Sequence, residues 1–375
     1  MQAQHALEEI RVVDLAGTVS TSYCTKLCAD YGADVINLEP TEGFSTRRLA
    51  PFIPSAEGLS ADDASAMHGY LSTNKKSVVQ SRLSEADVRK LVGQADLLLD
   101  DGSVSDRVVS DCTGVRSTIS WYGKDGPYAE MVGSDGQIFA LNGMLRGIGR
   151  IEGPPLIPTG YQAQIVAGMT AFIGGLTQVL AAEIGNRSEP VHLETSIFES
   201  NLCFTDVGVI SAYNTGLEAP RMGINRYPPT YPLGIFACRD GWLGVTVLTP
   251  NQWQSFCELL DMPEFTDVEL FQTSVGRLQA RDVIEPVMCA RLASQSAEEL
   301  FYRGQNARIP LARVPTMEEL FAVDQFVERN AFTTAILPNG SELSVPSVPF
   351  RLFRTPPNFG GPVASLGEHT QEFDL

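Results

Sequence analysis

The chain has 375 residues, 43% of them hydrophobic and 19% charged, the balance of a globular protein too long for one small core. A formal net charge of −18 and a pI near 4.6 leave no basic stripe to neutralise phosphates, which excludes nucleic acid as a partner. The same acidity means that any polyanionic ligand needs locally concentrated positive charge.

From the N-terminus, Met1 to His5 lacks the basic and apolar segments of a secretory leader, so a cytoplasmic location is expected. Residues 10–15 read as a short apolar strand. Residues 22–31 read as an amphipathic helix, with Tyr23, Leu27 and Ala29 inward and Lys26 and Asp30 outward. Gly32 to Asp34 turn the chain into a second strand at 35–38. A β-α-β unit of this length, about 30 residues, implies parallel strands and a right-handed crossover. A helix at 84–93 and strands at 96–100 and 115–121 continue the alternation of an open, mostly parallel α/β sheet.

An apolar helix is predicted over 169–182. The surrounding run carries Gly168, Gly174 and Gly175 and polar Thr170, Thr177 and Gln178, so it reads as a buried helix and not a membrane span. Residues 213–231, rich in Gly, Pro, Asn and Arg, read as a connecting loop. Stretches 234–241 and 242–248 then form two strands joined at Asp240-Gly241. Helical periods at 251–261, 281–293 (with Pro286 near its start) and 297–306 complete a smaller α+β unit. Residues 317–328 read as helix, Pro338 to Ser341 as a turn, and the remainder as Pro-rich extended chain.

The seven cysteines are scattered, Cys24 and Cys28 alone being close enough to stack on one helix face. The four histidines are isolated, so no metal is expected and the thiols suit a reducing cytoplasm. The turn after the first strand, Ala16-Gly-Thr-Val-Ser-Thr21, lacks G-x-G-x-x-G, which removes the main support for a nicotinamide or flavin role.

Fragments in a fixed order now carry a resemblance. They are residues 10–15 with Tyr23-Cys24-Thr25, Gly32-Ala33-Asp34 and Glu39-Pro40, then Asn74-Lys75-Lys76-Ser77 and Tyr122-Gly123 with Gly126-Pro127-Tyr128. Gly133-Ser134-Asp135, Gly160 to Gly168, Tyr231-Pro232 with Gly234, Pro349-Phe350-Arg351 and Leu366-Gly367-Glu368-His369-Thr370 follow. Together they resemble the family III CoA-transferases over essentially the whole chain. The resemblance implies a Rossmann-like α/β large domain built from both chain ends, plus a smaller α+β domain. It implies a ring-shaped chain interlocked with a second one, either itself as a homodimer or a paralogous subunit. The expected division is 1–212 large domain, 213–232 linker, 233–314 small domain and 315–375 return to the large domain. Coenzyme A thioesters would be substrate, with no permanently bound cofactor. A carboxylate four residues before Gly168 would attack the donor thioester and carry the acyl group as an anhydride.

The departures from that pattern gather where the chemistry belongs. Gln164 holds the carboxylate position, and an amide is not a nucleophile at neutral pH. Asp135 and Glu199 are the carboxylates that remain as substitutes, with Glu194 beside the latter. The family's racemase branch pairs a histidine with an aspartate where this chain has Ser134 and Gln164, so proton shuttling at an α-carbon is not expected. For CoA, the resemblance points to Ser20, Thr21, Asn74, Lys75, Lys76 and Arg107. However, Ser20-Thr21-Ser22 replaces a usual Ala-Gly-Pro, and Asp100-Asp101 replaces a CoA-contacting segment, placing negative charge near a polyanion. Arg221 and Arg226 are candidates to reach a partner's site. Three readings follow: the silent subunit of a heteromeric CoA-transferase whose paralogous partner bears the aspartate (benzylsuccinate CoA-transferase is a comparable type), an active transferase using another carboxylate, or a stand-alone binding pseudoenzyme.

Overall fold

The computed structural model describes residues 5–54, 58–185, 189–216 and 221–373; the first four residues of the leader assessment and parts of the connecting loop and C-terminus lie outside them. Six strands, β1 (Arg11–Asp14), β2 (Asp34–Glu39), β3 (Lys75–Val79), β4 (Leu97–Asp100), β5 (Val115–Ser120) and β6 (Val191–Ser196), form one sheet. Its order is β3-β2-β1-β4-β5-β6, with every neighbouring pair parallel. Val12, Val13, Leu97, Leu98 and Leu99 are all 0% exposed, so the central strands read as unbroken apolar runs, as strands covered on both faces do. The order reverses between β1 and β4, where a doubly wound sheet opens a crevice at its carboxyl edge. Strand β3 escapes the pattern reading because Lys75 and Lys76 interrupt its apolar character, whereas β6 and the turn of helix after it fall on the strand-to-helix segment read around Glu194 and Glu199.

The first helix, Val19–Asp30, starts earlier than its apolar pattern predicts because Thr18 and Thr21 form a capping box. Its expected amphipathicity does not hold. Lys26 and Asp30 are 3% and 1% exposed, because the helix is covered on its outer side as well. The Gln162–Gly185 helix crosses it so closely at Gly168 that an added Cβ would stand 2.6 Å from the Ser20 carbonyl oxygen. Lys26 and Asp30 pair with each other at 3.0 Å, and Lys26 Nζ donates to Thr73 Oγ1 at 3.2 Å, so neither charge is buried bare.

The Gln162–Gly185 helix exceeds its expected 169–182 span at both ends, and by length and composition it is apolar enough to cross a bilayer. Ala163, Ala167, Gly168, Ala171 and Gly175 form its buried face, and these small side chains permit the close helix and sheet packing.

The chain folds as two compact units, Met1–Met144 with Pro158–Ile210 and Asp324–Leu375, and Leu145–Ile157 with Ser211–Val323. Both chain ends therefore belong to the unit that contains the large sheet. The second unit holds the expected hairpin, β7 (Leu233–Cys238) and β8 (Gly241–Thr246), with β9 (Leu311–Arg313) added antiparallel to β8. Helices Pro250–Leu259, Arg281–Ala293 and Ala297–Asn306 enclose a core that includes Trp253, Phe256, Ile284, Met288 and Leu300. The middle helix runs through Pro286.

The helix expected over 317–328 is only two short turns, Glu319–Ala322 and Asp324–Glu328. Its apolar residues Phe321 and Val327 are 50% and 55% exposed, and a short helix without a buried face has little to hold it. Strands β10 (Phe332–Ile336) and β11 (Glu342–Pro346) form a hairpin on the predicted turn, and β12 (Gly361–Pro362) pairs parallel with β10. The closing segment caps the outer edge of β3: the N–H groups of His369 and Gly367 donate to Ser77, and the Val79 N–H donates to Thr370 Oγ1.

Candidate active site

Gln164 lies in the first turn of the Gln162–Gly185 helix and is 8% exposed. Four backbone N–H groups at such an end need acceptors, and Asp135 supplies one from a neighbouring helix, Asp135–Leu141. Asp135 Oδ1 accepts the N–H groups of Ala163 at 2.8 Å and Gln164 at 3.2 Å, and Oδ2 accepts the Gln164 side-chain amide at 2.9 Å. A negative carboxylate at a helix N-terminus also complements the macrodipole. Asn201 fastens the same turn from the other side, donating Nδ2 to the carbonyls of Ala163 at 3.0 Å and Ile197 at 2.7 Å, while its own carbonyl accepts Asn142 Nδ2 at 3.1 Å. The sequence reading pairs Gln164 with Asp135 only as alternatives; the structure joins them. Asn142 and Asn201 carry no sequence signal beyond being buried amides.

Glu199 is exposed in the first turn after β6, and its carboxylate makes no hydrogen bond or ion pair among the described residues. Glu194 accepts the Lys124 N–H.

At the carboxyl edge, the chain leaving β2 and β3 borders a cavity of about 530 Å³ with Pro40, Glu42, Ser81, Glu85, Arg89 and Arg107 among its lining. Both arginines are already paired, Arg107 with Glu85 at 2.5 Å and Arg89 with Asp111 at 2.7 Å. The expected repulsion from Asp100 is corrected. Asp100 is fully buried, and Arg116 donates Nε to its Oδ2 at 2.8 Å and Nη2 to its Oδ1 at 3.4 Å, with Thr118 Oγ1 also donating to Oδ2 at 3.1 Å. The parallel register sets Asp100 opposite Thr118, so the compensating arginine comes from the adjacent strand and not from nearby sequence. Asp101 turns back on its own loop, accepting from Ser103.

The other candidate CoA residues are occupied within the fold. Ser20 and Thr21 are 1% and 0% exposed, Thr21 serving the capping box. Asn74, in the left-handed region at φ 60, donates Nδ2 to the carbonyls of Asn358 at 2.9 Å and Gly360 at 2.6 Å. Lys75 is 4% exposed, and its Nζ donates to Ser22 O and Thr25 Oγ1, each at 2.8 Å. Burial pulls its pKa down to about 8, partly offset by the charge of Asp14. Burial pushes Asp14 the other way, above the ordinary carboxylate value, while Lys75 and the Gly17 and Ala16 N–H groups oppose the rise. Lys76 pairs with Asp34 at 3.0 Å. In the second unit, Arg221 donates to the carbonyls of Arg146, Arg150 and Gly153, and Arg226 pairs with Glu285 at 2.8 Å. Among the described residues no group of three or more His, Cys, Asp or Glu side chains is placed to hold a metal ion.

The sequence profile described as CoA-transferase family III matches residues 7–111 and 113–370. The chain belongs to CoA-transferase family III. Family membership assigns it to CoA transfer between acyl-CoA and carboxylate substrates. It is 25% identical to a succinate–glutarate CoA-transferase from Agrobacterium fabrum, over 97% of this chain and 93% of that protein. It is likewise 25% identical to the alpha subunit of a succinyl-CoA–L-malate CoA-transferase from Chloroflexus aurantiacus, over 98% of this chain and 86% of that one. Its fold superposes on the crystal structure of a CAIB/BAIF family protein from Brucella suis with a TM-score of 0.86 and 22% identity, covering 99% of this chain and 98% of the other.

Proposed function

We propose that this chain is the non-catalytic subunit of a heteromeric, cytoplasmic family III CoA-transferase. The nucleophilic carboxylate would come from a paralogous partner. The observation that carries this reading is the Gln164–Asp135 pair. The amide stands where the acyl-carrying oxygen is required, and the nearest carboxylate accepts three hydrogen bonds as a helix cap. A carboxylate so engaged is stabilised and a poor nucleophile. The paired state of Arg89 and Arg107 points the same way, since a CoA polyphosphate would have to break existing ion pairs. A subunit role also accounts for the large apolar side chains left exposed near the Gln164 helix, Ile173 at 65% and Phe204 at 47%, as surface for a partner chain. The Chloroflexus relative is itself named as one subunit of its enzyme.

In the purified complex, Gln164→Ala should leave turnover within about twofold of the parent. An acyl adduct trapped by mass spectrometry on this polypeptide, without a companion chain, overturns the proposal. The second reading, an active transferase, has one observation in its favour: the exposed, unpaired carboxylate of Glu199. If an adduct forms on the isolated chain, Glu199→Gln should abolish it.

A further inference from the structure

The turn between β10 and β11 sets a reactive pair of residues in solvent. Pro338, Asn339 and Gly340 form its loop, closed by the Leu337 N–H donating to the Ser341 carbonyl at 2.9 Å and the Gly340 N–H donating to the Leu337 carbonyl at 2.8 Å. Gly340 lies in the left-handed region at φ 82, which a hairpin loop of this length requires there and glycine adopts at no steric cost. The turn therefore fixes an asparagine directly before a residue with no side chain to shield its backbone nitrogen. Both residues are exposed, and no atom beyond the adjoining residues lies within 4 Å of where a Gly340 Cβ would stand.

Asn339 Oδ1 accepts the Ser341 N–H at 3.0 Å and the Ser341 hydroxyl at 2.7 Å. Two donors on a carbonyl oxygen withdraw electron density from Cγ and stabilise negative charge developing on that oxygen, as an oxyanion hole does. The Gly340 nitrogen can close a five-membered ring on Cγ, an attack within one chain that needs no encounter. We propose that Asn339 is a self-modification site, deamidating through a succinimide with Ser341 as the oxyanion donor. Solvent hydroxide takes the Gly340 N–H proton away from the Leu337 carbonyl and the N–Cγ bond forms. The Cγ–Nδ2 bond then breaks and ammonia leaves with a proton from water. A second water opens the ring at either carbonyl, leaving an aspartate or an isoaspartate at position 339 and one added negative charge. Isoaspartate also lengthens the main chain inside a hairpin whose Ala335, Leu337 and Val345 are buried.

The chain has one other Asn-Gly pair, Asn142-Gly143. Asn142 Oδ1 accepts the Met144 N–H at 3.0 Å in the same spacing, but Asn142 is 7% exposed and its Nδ2 donates to the Asn201 carbonyl at 3.1 Å. Burial keeps hydroxide and water from it, so the two pairs separate turn geometry from access.

The test is incubation of the folded, full-length chain in heavy-oxygen water at neutral and mildly alkaline pH, followed by peptide mass spectrometry. Asn339 should be the first asparagine to become acidic, as a mixture of aspartate and isoaspartate carrying solvent oxygen, at a rate that rises with pH. Asn142 should stay an amide. Ser341→Ala should slow the conversion about threefold, the worth of one exposed neutral hydrogen bond, and Ser341→Thr should keep the parent rate. A serine that merely stiffened the turn would act in the opposite direction, because loosening the loop speeds ring closure. An Asn339 that stays an amide, an Asn142 that converts as fast, or a Ser341→Ala rate that is unchanged or raised overturns the proposal. Turnover enters none of these readings, so they stand apart from the fate of the Gln164 argument.

Discussion

Replacing Asp135 with alanine strips the Gln162–Gly185 helix of three acceptor contacts at once, at 2.8, 3.2 and 2.9 Å. Hydrogen bonds to a charged group contribute roughly 1.5–3 kcal/mol each when buried, and loss of an N-terminal cap costs typically about 1 kcal/mol. Asp135 is half-buried and solvent screens it, so each bond counts at the ordinary net value of about 1 kcal/mol, and the expected loss is about 3 kcal/mol. Gln164→Ala removes one of the same three bonds and should cost about 1 kcal/mol. In the double variant that bond is already gone, so the total should stay near 3 kcal/mol and leave a coupling of about 1 kcal/mol. Urea denaturation of the four proteins, followed by circular dichroism, measures each term. Costs that add to within about 0.3 kcal/mol would show that the amide and the carboxylate act independently, and the account of the site fails with them.

Gly168→Ala sets helix propensity against packing. Alanine is favoured inside a helix by about 1 kcal/mol, but its Cβ would meet the Ser20 carbonyl at 2.6 Å and the Cys24 N at 3.3 Å, both backbone atoms with little freedom to move. Overpacking should win, with a net loss of about 1–3 kcal/mol in the urea midpoint; a gain would refute the close crossing. His68 gives a pH signature. Burial first, then the nearby Arg47 and Lys75 charges, holds its pKa well below 6.5, and its Nε2 is buried without a partner. The unfolded state therefore binds a proton that the native state refuses, so stability present above pH 6.5 is lost as pH falls below it, by up to about 1.4 kcal/mol per pH unit. His68→Gln should flatten that limb, as read from urea midpoints between pH 7 and 5 (about two units); an unchanged slope rejects the assignment.

Local chemistry was enough to place most elements of this chain. Apolar runs such as Leu97-Leu98-Leu99 announce doubly covered strands, Ser84 announces the helix it caps, and Asp240-Gly241 announces a hairpin. The same reading locates the Gln164 turn, and that an amide is not a nucleophile at neutral pH is a property of its own atoms. Neighbours across the fold decide the rest. Lys26 and Asp30 look like a solvated helix face until Tyr70 and Thr73 close over the lysine and the Asn358 backbone bonds to the Asp30 carbonyl. Lys75 looks like a phosphate ligand until β3 carries it inside, and Asp100 looks repulsive until the parallel register brings Arg116 beside it. Burial and charge compensation depend on which strands and helices are adjacent, and adjacency between residues far apart in sequence is set by packing alone. For that reason the amide at position 164 is written in the sequence, whereas its pairing with Asp135, which caps the same helix turn, appears only in three dimensions.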